Sequence, residues 1–420
     1  MRRELVLFAA AAMWLPASSS VGQTAPVDSG PPGSELTVYL MTMAQGDAIW
    51  ERFGHNAIGI RDRKANTDIV YNWGLFSFDQ PGFLGRFLEG EMMYWMEGFA
   101  AAATVVDYVA ANRTVEMQEL NLSPAQRLAL LEFVRWNARE ENKFYRYDYF
   151  RDNCSTRVRD ALDRVLGGAI RQATDVDTTS SSYRDHAMRL VAPDWLTTIG
   201  VDIGLGRPTD RPLTRWEEMF IPMKVRDYVR TIRVPDETGA LVPLVTGERV
   251  VFQAERVPER EAPPSLVLPL LLVGLSLGGL LYWLGRRGMA GGRASASAAT
   301  FLTVVWGIAI GGMGIALLYL RLMTQHVAAH DNTNVFVFNP LWLLVVALLP
   351  LASGGTAGRR ALSGVATVAG GLTLLGVILV FVPGFTQDSL AVVLLAAPAN
   401  LAIALVLLER TRPEVMTAPA

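Results

Sequence analysis

Cys154 is the single cysteine in 420 residues, and it lies in Arg151-Asp-Asn-Cys-Ser-Thr-Arg157, at the expected start of a helix. A helix start gathers unpaired N–H groups and the positive end of the backbone dipole. Both favour thiolate and would lower a thiol pKa of about 8.5 by roughly a unit. The same N–H groups can hold an oxyanion. Such a nucleophile needs a base, and the chain has four histidines: His55, His186, His326 and His330. His55, in Glu51-Arg-Phe-Gly-His-Asn-Ala-Ile58, stands at the entrance of an expected strand, where its side chain can be presented to a helix packed on the sheet. Asn72, in Val70-Tyr-Asn-Trp-Gly74 on the neighbouring expected strand, could bond the second ring nitrogen. Cys154, His55 and Asn72 would then serve as nucleophile, base and orienting group. The plainer alternative makes Cys154 a small buried hydrophobe, His55 a structural strand residue and Asn72 a turn residue. His186, in the polar stretch Tyr183-Arg-Asp-His-Ala-Met188, reads as an ordinary surface histidine.

The elements that must position these groups follow from pattern. Strands are expected at Leu36–Thr42, Asn56–Arg61, Asp68–Trp73 and Arg113–Leu120. The span Gly82–Gly98 reads as a helix with a large apolar surface from Phe83, Phe87, Met92, Tyr94 and Trp95. Ser123-Pro-Ala-Gln126 is a capping box that opens a helix to about Glu141. Asp152 or Asn153 can cap the next helix, which places Cys154, Val158, Ala161, Leu162 and Val165 on one side.

The chain divides unevenly. Arg2 and Arg3, the apolar run Leu5–Leu15 and the small residues up to Gln23 read as a signal peptide over 1–23. A Pro/Gly/Ser-rich flexible leader over 24–34 precedes an exported globular domain over 35–252. A charged, proline-containing linker over 253–264 leads to a transmembrane domain over 265–412. Its five apolar stretches lie near 265–284, 299–320, 337–353, 361–382 and 389–408, each close to the ~20 residues that cross a hydrocarbon core. Arg286, Arg287 and Arg293, then Arg359 and Arg360, then Arg410 and Arg412 mark three segments as cytoplasmic. The globular domain, the 321–336 loop and the 383–388 turn are therefore expected outside, with the C-terminus inside. An exported chain ordinarily pairs its structural cysteines, and Cys154 has no partner to pair with. The formal net charge of −2 leaves no basic footprint for nucleic acid.

The outer loop carries a second polar cluster in His326-Val-Ala-Ala-His330-Asp-Asn-Thr-Asn334 and on to Asn339. His330, Asn332, Asn334 and Asn339 would stand at the outer membrane boundary, suited to a lipid head group or an emerging N-terminal amine, or else they form a solvated loop. His326 and His330 are four apart without a third ligand at metal spacing, so no metal and no cofactor is expected.

Glu51–Ile58, Val70–Phe78 (Val-Tyr-Asn-Trp-Gly-Leu-Phe-Ser-Phe) and Tyr147–Arg157 (Tyr-Asp-Tyr-Phe-Arg-Asp-Asn-Cys-Ser-Thr-Arg) together resemble the exported domain of Lnb-type proteins, the Bacteroides-type lipoprotein N-acyltransferases and their wider relatives. That family couples the domain to five membrane helices, and the resemblance covers nearly all of the mature chain. It implies an α+β fold in which a circularly permuted papain-like domain precedes a five-helix transmembrane bundle. Its His and Cys motifs carry over to His55 and Cys154; Asn72 is placed by its strand position alone. The order of His before Cys also resembles enzymes of the lecithin–retinol acyltransferase kind, whose cysteine follows an Asn at a helix start and takes acyl groups from phospholipid. The function so implied is a bacterial inner-membrane acyltransferase that passes an acyl chain from phospholipid through a Cys154 thioester to an amine, such as the N-terminal cysteine of a lipoprotein. A papain-like peptidase or amidase of the cell wall is the alternative, although five spans exceed the single anchor such a hydrolase needs. A non-catalytic membrane scaffold is the third.

Overall fold

The computed structural model describes residues 30–353 and 355–410; the expected signal peptide, most of the leader and Arg412 lie outside the described residues. The N-terminal domain is built on strands β1 (Leu36–Met43), β2 (His55–Asp62), β3 (Thr67–Leu75), β4 (Met93–Ala100), β5 (Val115–Leu120), β6 (Phe144–Arg146), β7 (Arg233–Pro235), β8 (Leu241–Pro243) and β9 (Val245–Phe252). Seven of these form one antiparallel sheet in the order β6-β4-β3-β2-β1-β5-β9, while β7 and β8 make a separate hairpin. The helices of this domain are α1 (Phe83–Glu89), α2 (Ala101–Ala110), α3 (Pro124–Asn137), α4 (Cys154–Val165), α5 (Ala169–Thr174), α6 (Tyr183–Val191), α7 (Trp195–Gly204), α8 (Arg215–Glu218) and α9 (Pro222–Val229).

Alternation along the strands gives the sheet two apolar faces. Leu36, Val38, Leu40, Ile58, Ile60 and Trp73 pack against Leu130 and Val134 of α3, Val158 and Leu162 of α4 and Val225 of α9. Tyr39, Met41, Ala57, Val70 and Met117 meet Ala101, Val105 and Tyr108 of α2 on the other side. The four expected strands are present as β1, β2, β3 and β5, within one or two residues of their expected ends.

The expected helix over Gly82–Gly98 needs correcting. Only α1 is helical; Gly90 (φ 75°) ends it in the left-handed conformation, and Met93–Ala100 is strand. Tyr94 and Met96 are buried at alternate positions, and β4 pairs with both β3 and β6. A short apolar run satisfies either period, and sheet pairing decided between them. The helix opened by Ser123 stops at Asn137, four residues early, where the Asn137 amide bonds Asn142 O and accepts from Trp73 Nε1. Of the expected leader, Pro31–Ser34 form a turn, and Arg63 donates to Ser34 O. In the linker, Arg256 pairs with Asp47 and Arg189 with Glu259, which ties the segment back to the domain.

Five apolar segments long enough to span a membrane follow: α10 (Val267–Met289), α11 (Arg293–Met323), Thr333–Ala352 containing α12 (Leu341–Leu348), α13 (Thr356–Leu379) and α14 (Leu390–Glu409). Small residues let these helices approach closely. A Cβ on Gly274 would stand 2.3 Å from Leu394 O, and one on Gly314 would stand 2.1 Å from Phe338 O. Asn400, fully buried, donates to Val337 O and Thr373 Oγ1 and accepts from Trp306 Nε1, so one amide joins four segments.

The two domains are joined by hydrogen bonds at the outer end of the bundle. Asn332 donates to Ile203 O and Gly204 O, and Asn334 to Asp202 O and Ile203 O, closing the open carbonyls at the end of α7. Gly206 N donates to Ala328 O, and Gln387 bridges Leu205 O, Asn332 and Thr333. Buried Arg184 supports α7 from behind through Asp202 and Asp210.

Asn334→Ala should therefore strand carbonyls in a buried junction, at a cost of about 2 kcal/mol. The expected readout is a clearly lowered Tm for the detergent-solubilised protein; an unchanged Tm would show that the junction does not depend on this amide.

Candidate active site

The position of Cys154 is set by its cap. Asn153 Oδ1 accepts from the N–H groups of Ser155 and Thr156, while its Nδ2 donates to Tyr149 O and Phe220 O. Asn153 is thus the residue that caps α4, and Asp152 is engaged elsewhere, in a two-pronged ion pair with Arg157. Ser155 Oγ donates to Asn56 Oδ1 and Asn56 Nδ2 to Thr42 Oγ1, which bolts the first turn of α4 to β2 and β1. The main chain of Asn56, the residue after His55, is among the polar groups that favour the Cys154 thiolate. Gly74 (φ 87°) closes the other side, where a Cβ would meet Cys154 Cβ at 3.2 Å. The thiol therefore stands at the end of the sheet, where β2 begins and β3 ends.

His55 and Asn72 alternate with Ala57 and Val70 on the sheet face that α2 covers, whereas α4 packs on the opposite face. His55 is thus presented to α2, whose Tyr108 stacks on its ring, rather than to α4, the helix that Cys154 begins. Both groups lie at this end of the sheet, His55 as the first residue of β2 and Cys154 against Gly74 near the end of β3, and no hydrogen bond joins the thiol to the ring. Asn72 Oδ1 lies 3.1 Å from His55 Nε2, and Asn72 Nδ2 donates to Val70 O at 3.0 Å. Because the Val70 carbonyl can only accept, the Asn72 oxygen faces the ring, and His55 Nε2 carries the proton. Nδ1 is left as the basic nitrogen.

Three residues that sequence reasoning did not single out shape this base. Tyr108 stacks on the His55 ring (6.4 Å, 16°), the Arg113 guanidinium lies 4.7 Å from the Tyr108 ring centre, and Glu51 pairs with Arg113 at 3.4 Å. Burial and then the Arg113 charge lower the His55 pKa to about 4, against the opposing pull of the Asn72 bond. Burial also pushes the Cys154 thiol up; the bonds from Asn56 and Ser155 oppose this and are outweighed. The depressed thiol pKa expected from a helix start is therefore corrected, because desolvation of the thiolate exceeds the help of the helix N–H groups. At neutral pH the pair is a thiol beside a neutral imidazole. Two of those N–H groups are also occupied by the Asn153 cap, so they are not the free oxyanion donors expected.

Tyr145 is the fourth residue missed. It stacks beneath Arg157 at 3.9 Å, and its buried hydroxyl has no hydrogen-bond partner among the described residues. Its only signal in the sequence was its place among the tyrosines just before the cysteine motif.

The remaining expected site residues lie elsewhere. Asn334 and Asn339 are buried; Asn339 donates to Phe336 O and Ala369 O, and Asn332 and Asn334 are committed to the α7 carbonyls. His330 Nε2 meets Thr324 O. These groups spend their donors on the protein's own main chain rather than offering them to a head group. His186 is corrected from a surface residue to a buried one (2 % exposed): Nε2 bonds Glu218 and Nδ1 accepts from Arg189. The cavities beside Arg410 sit at the far end of the bundle and include none of the thiol's neighbours.

Residues 31–188, which include His55, Asn72, Tyr145 and Cys154, match the family model described as the Lnb N-terminal periplasmic domain. No curated protein and no solved structure matches the chain.

The His55 imidazole should titrate near pH 4 in histidine NMR, well below the ordinary ~6.5. Arg113→Gln removes a charge that disfavours the imidazolium, so the midpoint should rise. A wild-type midpoint near 6.5, unmoved by the substitution, would contradict the environment described.

Proposed function

We propose that this chain, a multi-pass membrane protein of the Lnb type with a periplasmic N-terminal domain, is a cysteine-dependent acyltransferase that takes its acyl chain from phospholipid. The observation that carries this reading is the tautomer of His55: Asn72 accepts from Nε2–H and leaves Nδ1 basic, at the end of the sheet where Gly74 stands against Cys154. A nucleophile, a base and an orienting amide are thereby assembled at one end of the sheet. The His-before-Cys order, with the cysteine following an Asn cap, supports the permuted papain-like reading of the domain.

In the first half-reaction His55 Nδ1 takes the thiol proton as the sulfur attacks an ester carbonyl carbon of the phospholipid. The carbonyl oxygen becomes an oxyanion. Its donors are the N–H of Cys154 and the Tyr145 hydroxyl, which is buried with no hydrogen-bond partner among the described residues. Collapse breaks the carbon–oxygen bond, and the departing lysophospholipid alkoxide receives the proton from His55. In the second half-reaction an amine attacks the thioester, gives its proton to His55, and expels the sulfur, which recovers that proton. The acceptor is an amine at the membrane surface, such as the free N-terminal cysteine of a diacylated lipoprotein. This scheme places the protein in a bacterial inner membrane with its C-terminus in the cytoplasm, in keeping with the arginines at 286–293, 359–360 and 410.

Purified protein incubated with acyl-labelled phospholipid should acquire a hydroxylamine-sensitive label, absent in Cys154→Ser and reduced about 10²-fold in rate in His55→Gln. Cleavage of a wall peptide with no acyl label would instead identify a thiol peptidase.

Tyr145→Phe should slow acylation by about 10²-fold with no loss of Tm, because the hydroxyl has no hydrogen-bond partner among the described residues. Acylation at the wild-type rate would remove Tyr145 from the scheme.

A further inference from the structure

The aromatic side chains around Cys154 are continuous with the outer end of the membrane helices. Tyr147 lies against Gly74 at the thiol's flank: a Cβ on Gly74 would stand 3.7 Å from Tyr147 Cε2. From Tyr147 one path of rings runs through Tyr94 (4.2 Å), Phe76 (5.0 Å), Phe83 (6.1 Å) and Phe87 (6.1 Å) to His326 (6.5 Å). A second path reaches His326 through Tyr149 alone, in steps of 5.8 and 6.2 Å. The two paths close into a ring of seven side chains.

His326 follows closely on α11, which ends at Met323. Its Nε2 donates to Phe87 O, and Gln325 N donates to Glu89 O, so the end of α1 is hydrogen-bonded to the outer limit of a membrane span. Gly90 permits this contact, because a Cβ there would meet His326 N at 3.0 Å. Three large apolar side chains are exposed along α1, Leu84 at 68 %, Leu88 at 48 % and Phe87 at 38 %, with Glu89 exposed at its last residue. Phe78 and Trp50 continue this face outward, packed edge-on to each other at 5.6 Å. Leu322 and Met323, exposed on the last turn of α11, lie where the lipid-facing belt of that helix ends. An apolar face of this size on a helix pinned at the end of a span extends that belt.

We infer that α1 is embedded in the outer leaflet of the bilayer, and that the aromatic ring between it and Cys154 receives the acyl chain of a phospholipid drawn from that leaflet. The first half is independent of catalysis; the second rests on the acyltransferase reading. Aromatic faces accept a methylene chain without stranding any polar group, and the two ring-to-ring steps through Tyr149 keep the path short enough for an ester carbonyl to reach the sulfur while the chain's end remains in the leaflet.

The test uses the full-length Cys154→Ser protein in phosphatidylethanolamine–phosphatidylglycerol nanodiscs, with single cysteines introduced by Leu84→Cys and, as a reference on α2, Val106→Cys, each carrying a nitroxide. The label at 84 should collide several-fold more with oxygen than with a nickel chelate, while the label at 106 should favour the chelate. Equal, water-like behaviour at the two sites would overturn the embedding, as would spin–spin broadening at 84 that marks a second copy covering this face. In the chain that retains Cys154, Leu84→Asp with Leu88→Asp should lower acyl transfer from bilayer phospholipid at least tenfold relative to transfer from a soluble short-chain ester. An equal effect on both donors would overturn the acyl path. Absence of any adduct from either donor in the wild type, with lipid-like collisions at 84, would sink the acyltransferase reading and leave the embedding standing.

Discussion

The side chain of Asn153 is the interaction on which the site depends. One amide satisfies two N–H groups at the start of α4 and two carbonyls from separate segments, those of Tyr149 and Phe220. It fixes where α4 begins, and Cys154 is the first residue of that helix. It also uses N–H groups that would otherwise have stabilised a thiolate. The same residue therefore positions the thiol and leaves burial to dominate its ionisation.

A neutral thiol–imidazole pair has a physical rationale at this location. Ion pairs formed before substrate arrives must be desolvated twice over in a site packed between Tyr108, Tyr147 and the end of the sheet. Keeping both groups neutral avoids that cost, and in the proposed reaction it leaves proton transfer coupled to attack. Arg113 contributes by holding His55 unprotonated, and Glu51 holds Arg113, which gives the glutamate four residues before His55 a function within its motif.

The polar residues of the outer loop illustrate how a sound sequence inference can arrive at a different use. Asparagines at membrane depth are costly and therefore purposeful. Asn332 and Asn334 meet that expectation by closing the carbonyls at the end of α7, so the periplasmic domain sits on the bundle through directed hydrogen bonds. Their pattern along the chain could not identify the partner, because the carbonyls come from residues some 130 positions away.

The sequence by itself determined the five apolar segments long enough to span a membrane, the four strands β1, β2, β3 and β5, the capping of α3 by Ser123 and of α4 next to the lone cysteine, and the pairing of His55 with Asn72 across neighbouring strands. These rest on local period, on capping chemistry and on apolar length, all of which act within a few residues along the chain. Only the tertiary structure decided that Met93–Ala100 is strand, since pairing with β3 and β6 chose between two periods that a short apolar run satisfies equally. It also decided that His186 is buried against Glu218, that burial and the Arg113 charge lower the His55 pKa, and that the rings of Phe83 and Phe87 lead to His326. Desolvation and through-space charge depend on which distant segments are brought together, and that is information no local pattern carries.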